Sequence, residues 1–506
     1  MPGLATMVQV LLGSSLLGTP PAERSAGGAT LVEQPITSSV APVYLDGSDW
    51  SLQQLLNGSD NGGLINATVP GDILTDLQRA GRIPDPYWNT SWREPSFIAA
   101  WNEGSWRYSK SFTSPVRSAH HAEEVLLCFD GVLMGATFEL NGVSLTTTIN
   151  PLLGNVTGAT DQFLRYVFPV GRLLRPGVAS NRLSATFGGD YPGTSNGRFT
   201  FSTSIDWAPE MLTADRQGRA TFGFGLWKSI YLLPLPHGLA LTHMVPLTFY
   251  TGGHPTSRLS DTDHAGFVVN VTVDFFSTTV VPTASVTVMG SWDGAKPVSR
   301  ICALKAGINA VQLSIPAAQT EQVRLWHPNG HGEQPLYNIS ATVSVSATAP
   351  GGDISATRRI GFRHTALVTF NDTNATEVAA AVTMQNTDDF TMMFRVNGAA
   401  VYARGGSMIP MDLLNGRLSG EAHRRLVQSA AEGNFNVLRI WCDLTRIVHD
   451  THAYTDLNVV AGTGTGGDSA LWLLLAGVAG SSTRRLFMML VTNTASYCVR
   501  PLRMAR

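Results

Sequence analysis

Val268-Val-Asn-Val-Thr-Val-Asp-Phe275 changes character at every residue, with Val269, Val271, Val273 and Phe275 on one side and Val268, Asn270, Thr272 and Asp274 on the other. Successive side chains of a strand point to opposite faces, so this period of two predicts an extended segment with one buried face. Downstream, Ala341, Val343 and Val345 alternate with Thr342, Ser344 and Ser346. Upstream, Trp106, Tyr108, Lys110 and Phe112 alternate with Arg107, Ser109 and Ser111, and Ala136, Phe138 and Leu140 with Thr137 and Glu139. Asn141-Gly142 then supplies the dipeptide of a type I′ hairpin turn, which needs positive φ at both central residues. Strands at this spacing predict a β-sandwich. They group into a first β-region at 44–236 and a second at 240–365.

One helix interrupts the first region. Asp72 to Ala80 carries Ile73, Leu74 and Leu77 on one face, with Gly81 following as a C′ residue. After Asp389 the pattern changes: Phe394 to Tyr402 reads as a hairpin around Asn397-Gly398. A helix from about Ser419 to Glu432 is expected to bury Ala422, Leu426, Val427 and Ala430, and an apolar strand follows at Val437 to Trp441. Strand, helix, strand is one βαβ unit, the building block of a parallel sheet or barrel. The pattern is incoherent from Cys442 to the end.

Composition agrees with a mainly β chain of several domains. A length of 506 residues exceeds one ordinary core. Charged residues are 14%, hydrophobics 43%, and there are 50 Gly and 27 Pro, which suits turn-rich β-domains and excludes a coiled coil, a disordered chain and a collagen. A net charge of −2 provides no basic field to recruit nucleic acid. Cys128, Cys302, Cys442 and Cys498 lie far apart, with no zinc spacing and no disulfide framework, so no metal or other cofactor is expected.

Leu4 to Gly18 is a short apolar stretch at the head of a leader spanning 1–43, without the basic residues that usually precede a signal h-region. It reads equally as a signal peptide or as a disordered leader. Asn57, Asn66, Asn89, Asn155, Asn270, Asn338, Asn371 and Asn374 each open an N-x-S/T sequon without an intervening proline. Their glycosylation requires passage through the secretory pathway, which points to a secreted or lysosome-like location. No apolar run reaches the ~20 residues of a membrane span.

Several stretches resemble the β-mannosidases of glycoside hydrolase family 2: Val69-Pro-Gly-Asp-Ile-Leu-Thr-Asp76 with Gly81-Arg-Ile-Pro-Asp-Pro86, Leu325-Trp-His-Pro-Asn-Gly-His-Gly-Glu-Gln-Pro-Leu-Tyr337, Ile360-Gly-Phe-Arg363, Phe394-Arg-Val-Asn-Gly398 with Ala403-Arg-Gly-Gly406, and Asn434-Phe-Asn-Val-Leu-Arg-Ile-Trp441. The resemblance spans about residues 45 to 441, and the block ending at Tyr337 is its most specific part. It implies a jelly-roll-like sugar-binding domain at 44–236, an immunoglobulin-like β-sandwich at 240–365, the beginning of a (β/α)₈ TIM barrel at 390–441, and a divergent tail at 442–506. The implied activity is removal of terminal non-reducing β-D-mannose from oligosaccharides or glycoproteins with retention. That chemistry needs two carboxyl groups roughly 5–5.5 Å apart.

The chain departs from that pattern. The family's acid/base glutamate belongs to a barrel Asn-Glu pair, whereas the only such pair here is Asn102-Glu103, in the first β-region. After Phe394 the only glutamates are Glu421 and Glu432, both on the first expected barrel helix, and that helix belongs to the outer ring. No catalytic residue is therefore assigned. The expectation is a truncated or frame-shifted β-mannosidase that diverges at about Cys442, the alternative a non-catalytic secreted carbohydrate-binding protein. Ser204-Ile-Asp-Trp-Ala-Pro209 resembles the family's loop into the sugar pocket, which makes Asp206 and Trp207 substrate-binding candidates, with Ile205 standing where a Trp is usual. Trp441 resembles the barrel Trp beside the sugar, and Arg439 the Arg two places earlier. Without the resemblance, Trp441 is an ordinary core aromatic and Asp206 a solvated loop acid.

Three further motifs are set aside. Gly462-Thr-Gly-Thr-Gly-Gly467 lies between strand-like Leu457 to Ala461 and helix-like Ser469 to Val478, but a dinucleotide fingerprint also needs an acid some 20 residues on, and none follows Asp468. His449 and His452 share helical spacing without a supporting ligand. Gly193-Thr-Ser-Asn-Gly197 satisfies G-x-S-x-G, but strand-like sequence follows where a nucleophile elbow needs a helix.

Overall fold

The alternating segments quoted above lie in strands of the computed structural model, the one that begins at Ala341 as far as Ser344. The described residues run from 35 to 440, less several stretches of which 89–104, 189–224 and 374–392 are the longest, with two further strands at 471–476 and 487–491. The chain is mainly β.

Two antiparallel sheets form the first body. In one, Ser59–Asp60, Gly47–Leu56, Ser105–Thr113, Ser180–Phe187, Ala136–Leu140 and Val143–Ser144 lie side by side, with Ile65–Val69 also paired to Gly47–Leu56. The other orders Val43–Tyr44, Ile230–Leu235, Glu124–Phe129 and Tyr166–Pro169. Trp50, Tyr108, Phe129, Phe138, Phe168 and Phe187 fill the space between them. The Asn141-Gly142 turn has φ of 54° and 83°, as a type I′ turn requires. Glu124–Phe129 buries both faces: Val125, Leu127 and Phe129 face this core, while Leu126 and Cys128 join a second cluster with Tyr231, Leu233 and Ala240. That second cluster, with Phe276 packed on it, is an apolar seam to the next body.

The second body is a sandwich of three strands over four. Leu239–Tyr250, Phe267–Ser277 and Gly307–Ala317 make one layer, and Val298–Leu304, Val281–Gly290, Tyr337–Ser344 and Ile354–Ile360 the other. Val269, Val271, Val273 and Phe275 are fully buried between the layers, as their alternation predicts, with Val286, Val288, Ala341 and Val343 facing them.

Beyond it, Thr365–Val368, Met393–Val396 and Ala399–Val401 form a small antiparallel sheet, turned at Asn397-Gly398 with φ of 49° and 76°. Gly405–Met408 and Val437–Ile440 then run parallel, connected through the helix Gly420–Glu432 (α2 below). On the far side of Val437–Ile440, Leu471–Ala476 pairs antiparallel, followed by Phe487–Val491. Two expectations are corrected. Ser469 to Val478 was expected to be helical, but Leu471–Ala476 is a strand; an apolar run this short carries no decisive period. On α2 only Val427 is buried, and Leu426 is 39% exposed, because the helix is covered along a narrow line.

Candidate functional site

The first body contributes one helix, Ile73–Arg79 (α1), and its start is set by Asp72. The Asp72 carboxylate accepts the Thr75 N–H at 2.9 Å and the Thr75 hydroxyl at 2.7 Å, an N-cap that satisfies otherwise orphaned donors. Gly81, at φ 68°, closes the other end. Ile73, Leu74 and Leu77 enter the core as their spacing predicts. Asp76 lies one turn on and is also buried. It accepts the Tyr108 hydroxyl at 3.1 Å, the Thr68 N–H at 3.1 Å and the Arg79 guanidinium at 2.8 Å. Burial nevertheless pushes its carboxyl up to about 7 against those donors, and raises that of Asp72.

Helix α1 is also where the first body meets the βαβ unit. Downstream of the first parallel strand, Gly405–Met408, the turn Asn415–Arg417 lies on α1. Leu414 is buried in the first body's core. The Gly416 N–H donates to the second Asp72 oxygen, and Arg417 donates to the side chain of Gln78 and, at 3.1 Å, to Asp85. Contact is close enough that a Cβ on Gly416 would stand 2.8 Å from that Asp72 oxygen. The C-terminal end of parallel strands is where barrel enzymes place their chemistry. Sequence reasoning missed Asp72 and Asp76 as site-framing residues. Two acids within an otherwise apolar helix start were the available signal.

The second body holds the unit from the other side. Asn397, fully buried, uses all its polar groups: its N–H donates to the His364 carbonyl and its carbonyl accepts from Leu259, both at 2.8 Å; its side chain accepts from the His364 N–H and donates to the Trp326 carbonyl, both at 2.9 Å. Asn329 donates to the carbonyls of Ala431 and Phe435 at the end of α2. The Leu325–Tyr337 block is thus a clamp on the βαβ unit. Arg395 and Asp372 form a buried two-point ion pair, with His254 2.9 Å from the same carboxylate.

Of the sequence candidates, Asp206, Trp207 and Trp441 lie outside the described residues, as do Gly193–Gly197, His449, His452 and Gly462–Gly467. Arg439 is on the Val437–Ile440 strand, in register between Ser407 and Trp472. Glu421 and Glu432 stand exposed on α2. Glu421 accepts from Arg424 at 2.7 Å and Arg425 at 2.9 Å, bonds that hold its carboxyl below the usual range, and Glu432 accepts from Gln428 at 2.8 Å. Asn66 and Asn338 are exposed, Asn270 and Asn371 half-buried, while Asn57, Asn89, Asn155 and Asn374 lie outside the described residues. Among the described residues no cluster of His, Cys, Asp and Glu could hold a metal, and no helix is long and apolar enough to cross a membrane.

The glycosyl hydrolase 2 galactose-binding domain-like family model matches residues 50–196. Among curated proteins, the chain is similar to β-mannosidase A of Aspergillus terreus, 26% identical over 403 residues, covering 74% of this chain and 40% of that protein. It is also similar to the β-mannosidase of Rattus norvegicus, 24% identical over 394 residues with the same coverage. In fold it resembles the β-D-mannosidase of Dictyoglomus thermophilum, with TM-score 0.54 and 20% identity, covering 79% of this chain and 44% of that one. The exo-chitosanase of Amycolatopsis orientalis gives TM-score 0.56 at 16% identity, with 83% and 43% coverage. The chain thus spans about two-fifths of the length of the curated relatives it matches.

Proposed function

We propose, for a chain that is β-mannosidase-like in the manner of glycoside hydrolase family 2, that it serves the recognition of terminal non-reducing β-D-mannose on oligosaccharides or glycoproteins, in a secreted or lysosomal setting, with retaining hydrolysis as the chemistry of the site it helps to build. One observation carries this: α1 of the first body holds the segment that follows the first parallel strand. A sugar-binding domain in that position reaches the face where a barrel keeps its carboxylates. In this reading 44–236 is the sugar-binding domain, 240–365 the immunoglobulin-like spacer and 390–441 the opening of a barrel. Asp206 and Trp207 reach into the pocket from the first domain; Arg439 and Trp441 line it from the second parallel strand.

The exposed, arginine-paired and glutamine-paired positions of Glu421 and Glu432 favour a second reading, a carbohydrate-binding role without turnover by these residues alone. Neither glutamate is placed to form a glycosyl-enzyme bond or to protonate a leaving group. Incubation of the purified chain with 4-nitrophenyl β-D-mannopyranoside tests this. No nitrophenol above the buffer blank is expected. Release abolished by Glu421→Gln or Glu432→Gln would overturn the assignment of these residues to the outer face of α2.

A further inference from the structure

Asn270-Val271-Thr272 places a sequon in the middle of the Phe267–Ser277 strand, the central one of its three-stranded layer. Val269 and Val271 point into the sandwich and are fully buried, so Asn270 and Thr272 point out of it. In register, Asn270 lies between Leu247 and Ser314, and Val268, next along the same face, lies between Phe249 and Pro316. Leu247 is 43% exposed and Phe249 47%. The outer face therefore carries two large neighbouring hydrophobics with a sequon asparagine directly opposite one and diagonal to the other, within reach of a long side chain or its substituent. Ser314 donates its hydroxyl to Asn270 Oδ1 at 2.7 Å. The two arms of a carboxamide diverge from Cγ, so anchoring the oxygen toward Ser314 turns Nδ2 away from that strand, to the side of Leu247 and Phe249.

We propose that Asn270 carries an N-linked glycan whose first N-acetylglucosamine lies over Leu247 and Phe249 and covers this face. The bond formed joins Asn270 Nδ2 to the anomeric carbon of an oligosaccharide donated by its lipid diphosphate. The anomeric C–O bond breaks, the lipid diphosphate leaves with the electron pair, and Nδ2 loses one proton to the transferase; no oxidation is involved. The sugar suits the surface, because its CH face and acetamido methyl are apolar and pack on a phenyl ring and a leucine. Its hydroxyls face water, and Gln312, Ser314 and Thr272 give the rest of the patch a polar border. An uncovered apolar patch on a secreted protein is an association hazard, and an attached glycan removes it without a partner.

The inference rests on passage through the secretory pathway, and the test separates the two. The full chain is secreted from a glycosylating eukaryotic host, and site occupancy is read by glycopeptide mass spectrometry at Asn66, Asn270 and Asn338. Occupancy at Asn270 is expected. Enzymatic removal of glycans from the folded wild-type protein should raise the fluorescence of a hydrophobic dye by at least about twofold. The same treatment should do nothing in a Leu247→Ser, Phe249→Ser variant, nor should Asn338→Gln raise the signal before treatment. Occupied Asn66 and Asn338 with bare Asn270 would overturn the inference and leave the secretory reading standing; bare asparagines at all three would overturn both. An occupied Asn270 whose removal leaves dye binding unchanged, or a dimer that buries Leu247 and Phe249 with Asn270 bare, would also overturn it.

Discussion

Asp72 and Gly416 are 344 residues apart in sequence, yet the Asp72 carboxylate that starts helix α1 also accepts the Gly416 backbone N–H. One side chain therefore both caps a helix in the first body and fixes the segment that follows the first parallel strand.

Asp72→Ala should remove both functions. Loss of a cap costs about 1 kcal/mol, and each buried donor left without an acceptor costs roughly 1–3 kcal/mol more. A fall of about 2–4 kcal/mol in unfolding free energy is expected, measured by urea titration. Gly416→Ala should leave the cap but push the segment off α1, since its Cβ would stand 2.9 Å from the Cβ of Thr75. Faster proteolysis between about residues 405 and 440 than in the wild type would report that loosening, and equal rates for both variants would contradict the account.

Asp76 should make stability depend on pH. Its folded pKa, about 7, lies above the ordinary 3.8, so the folded state holds the proton more tightly than the unfolded one across that interval. Its contribution is complete below about pH 4 and is lost as pH rises through about 7. Half-buried His243 and His364, held down by desolvation to about 3 and about 4, act in the opposite sense, so the difference between wild type and Asp76→Asn isolates the effect. That difference should change by about 2–4 kcal/mol between pH 4 and pH 8 in favour of the variant at high pH. A constant difference would mean that Asp76 is ionised throughout, held so by Tyr108, Thr68 and Arg79.

Two buried arginines should respond oppositely to methionine. Arg395 has both Asp372 oxygens, so Arg395→Met leaves a buried carboxylate without its cation and should cost about 3–5 kcal/mol. Arg363 lies over the Trp326 ring at 4.5 Å, but its Nε and Nη1 find no acceptor among the described residues, and burial pulls it down to about 9. Arg363→Met should stay within about 1 kcal/mol of wild type, because the lost cation–π contact is offset by relief of desolvation. Calorimetric unfolding of both variants checks the contrast.

Local chemistry was readable wherever the backbone itself demanded a residue type. Asn141-Gly142 and Asn397-Gly398 announced positive-φ turns, Asp72 and Gly81 bounded α1, and the alternation around Val271 fixed which side chains are buried. Leu426 was misjudged because helical spacing shows which residues share a face but not how much of that face a neighbour covers. Leu471–Ala476 was misjudged because a six-residue apolar run fits helix and strand alike. The tie from Asp72 to Gly416 had no local signature, since it exists only once two distant segments meet.

Saturation-transfer NMR on the 506-residue chain with methyl β-D-mannopyranoside tests the central claim most directly. Transfer to the mannoside is expected, strongest on the ring CH protons that pack on an aromatic, and reduced by Asp206→Ala and by Trp441→Ala. Methyl β-D-galactopyranoside under the same conditions should receive less. Equal transfer to both sugars, or transfer to the mannoside untouched by either substitution, would contradict a mannose-directed site built by these residues.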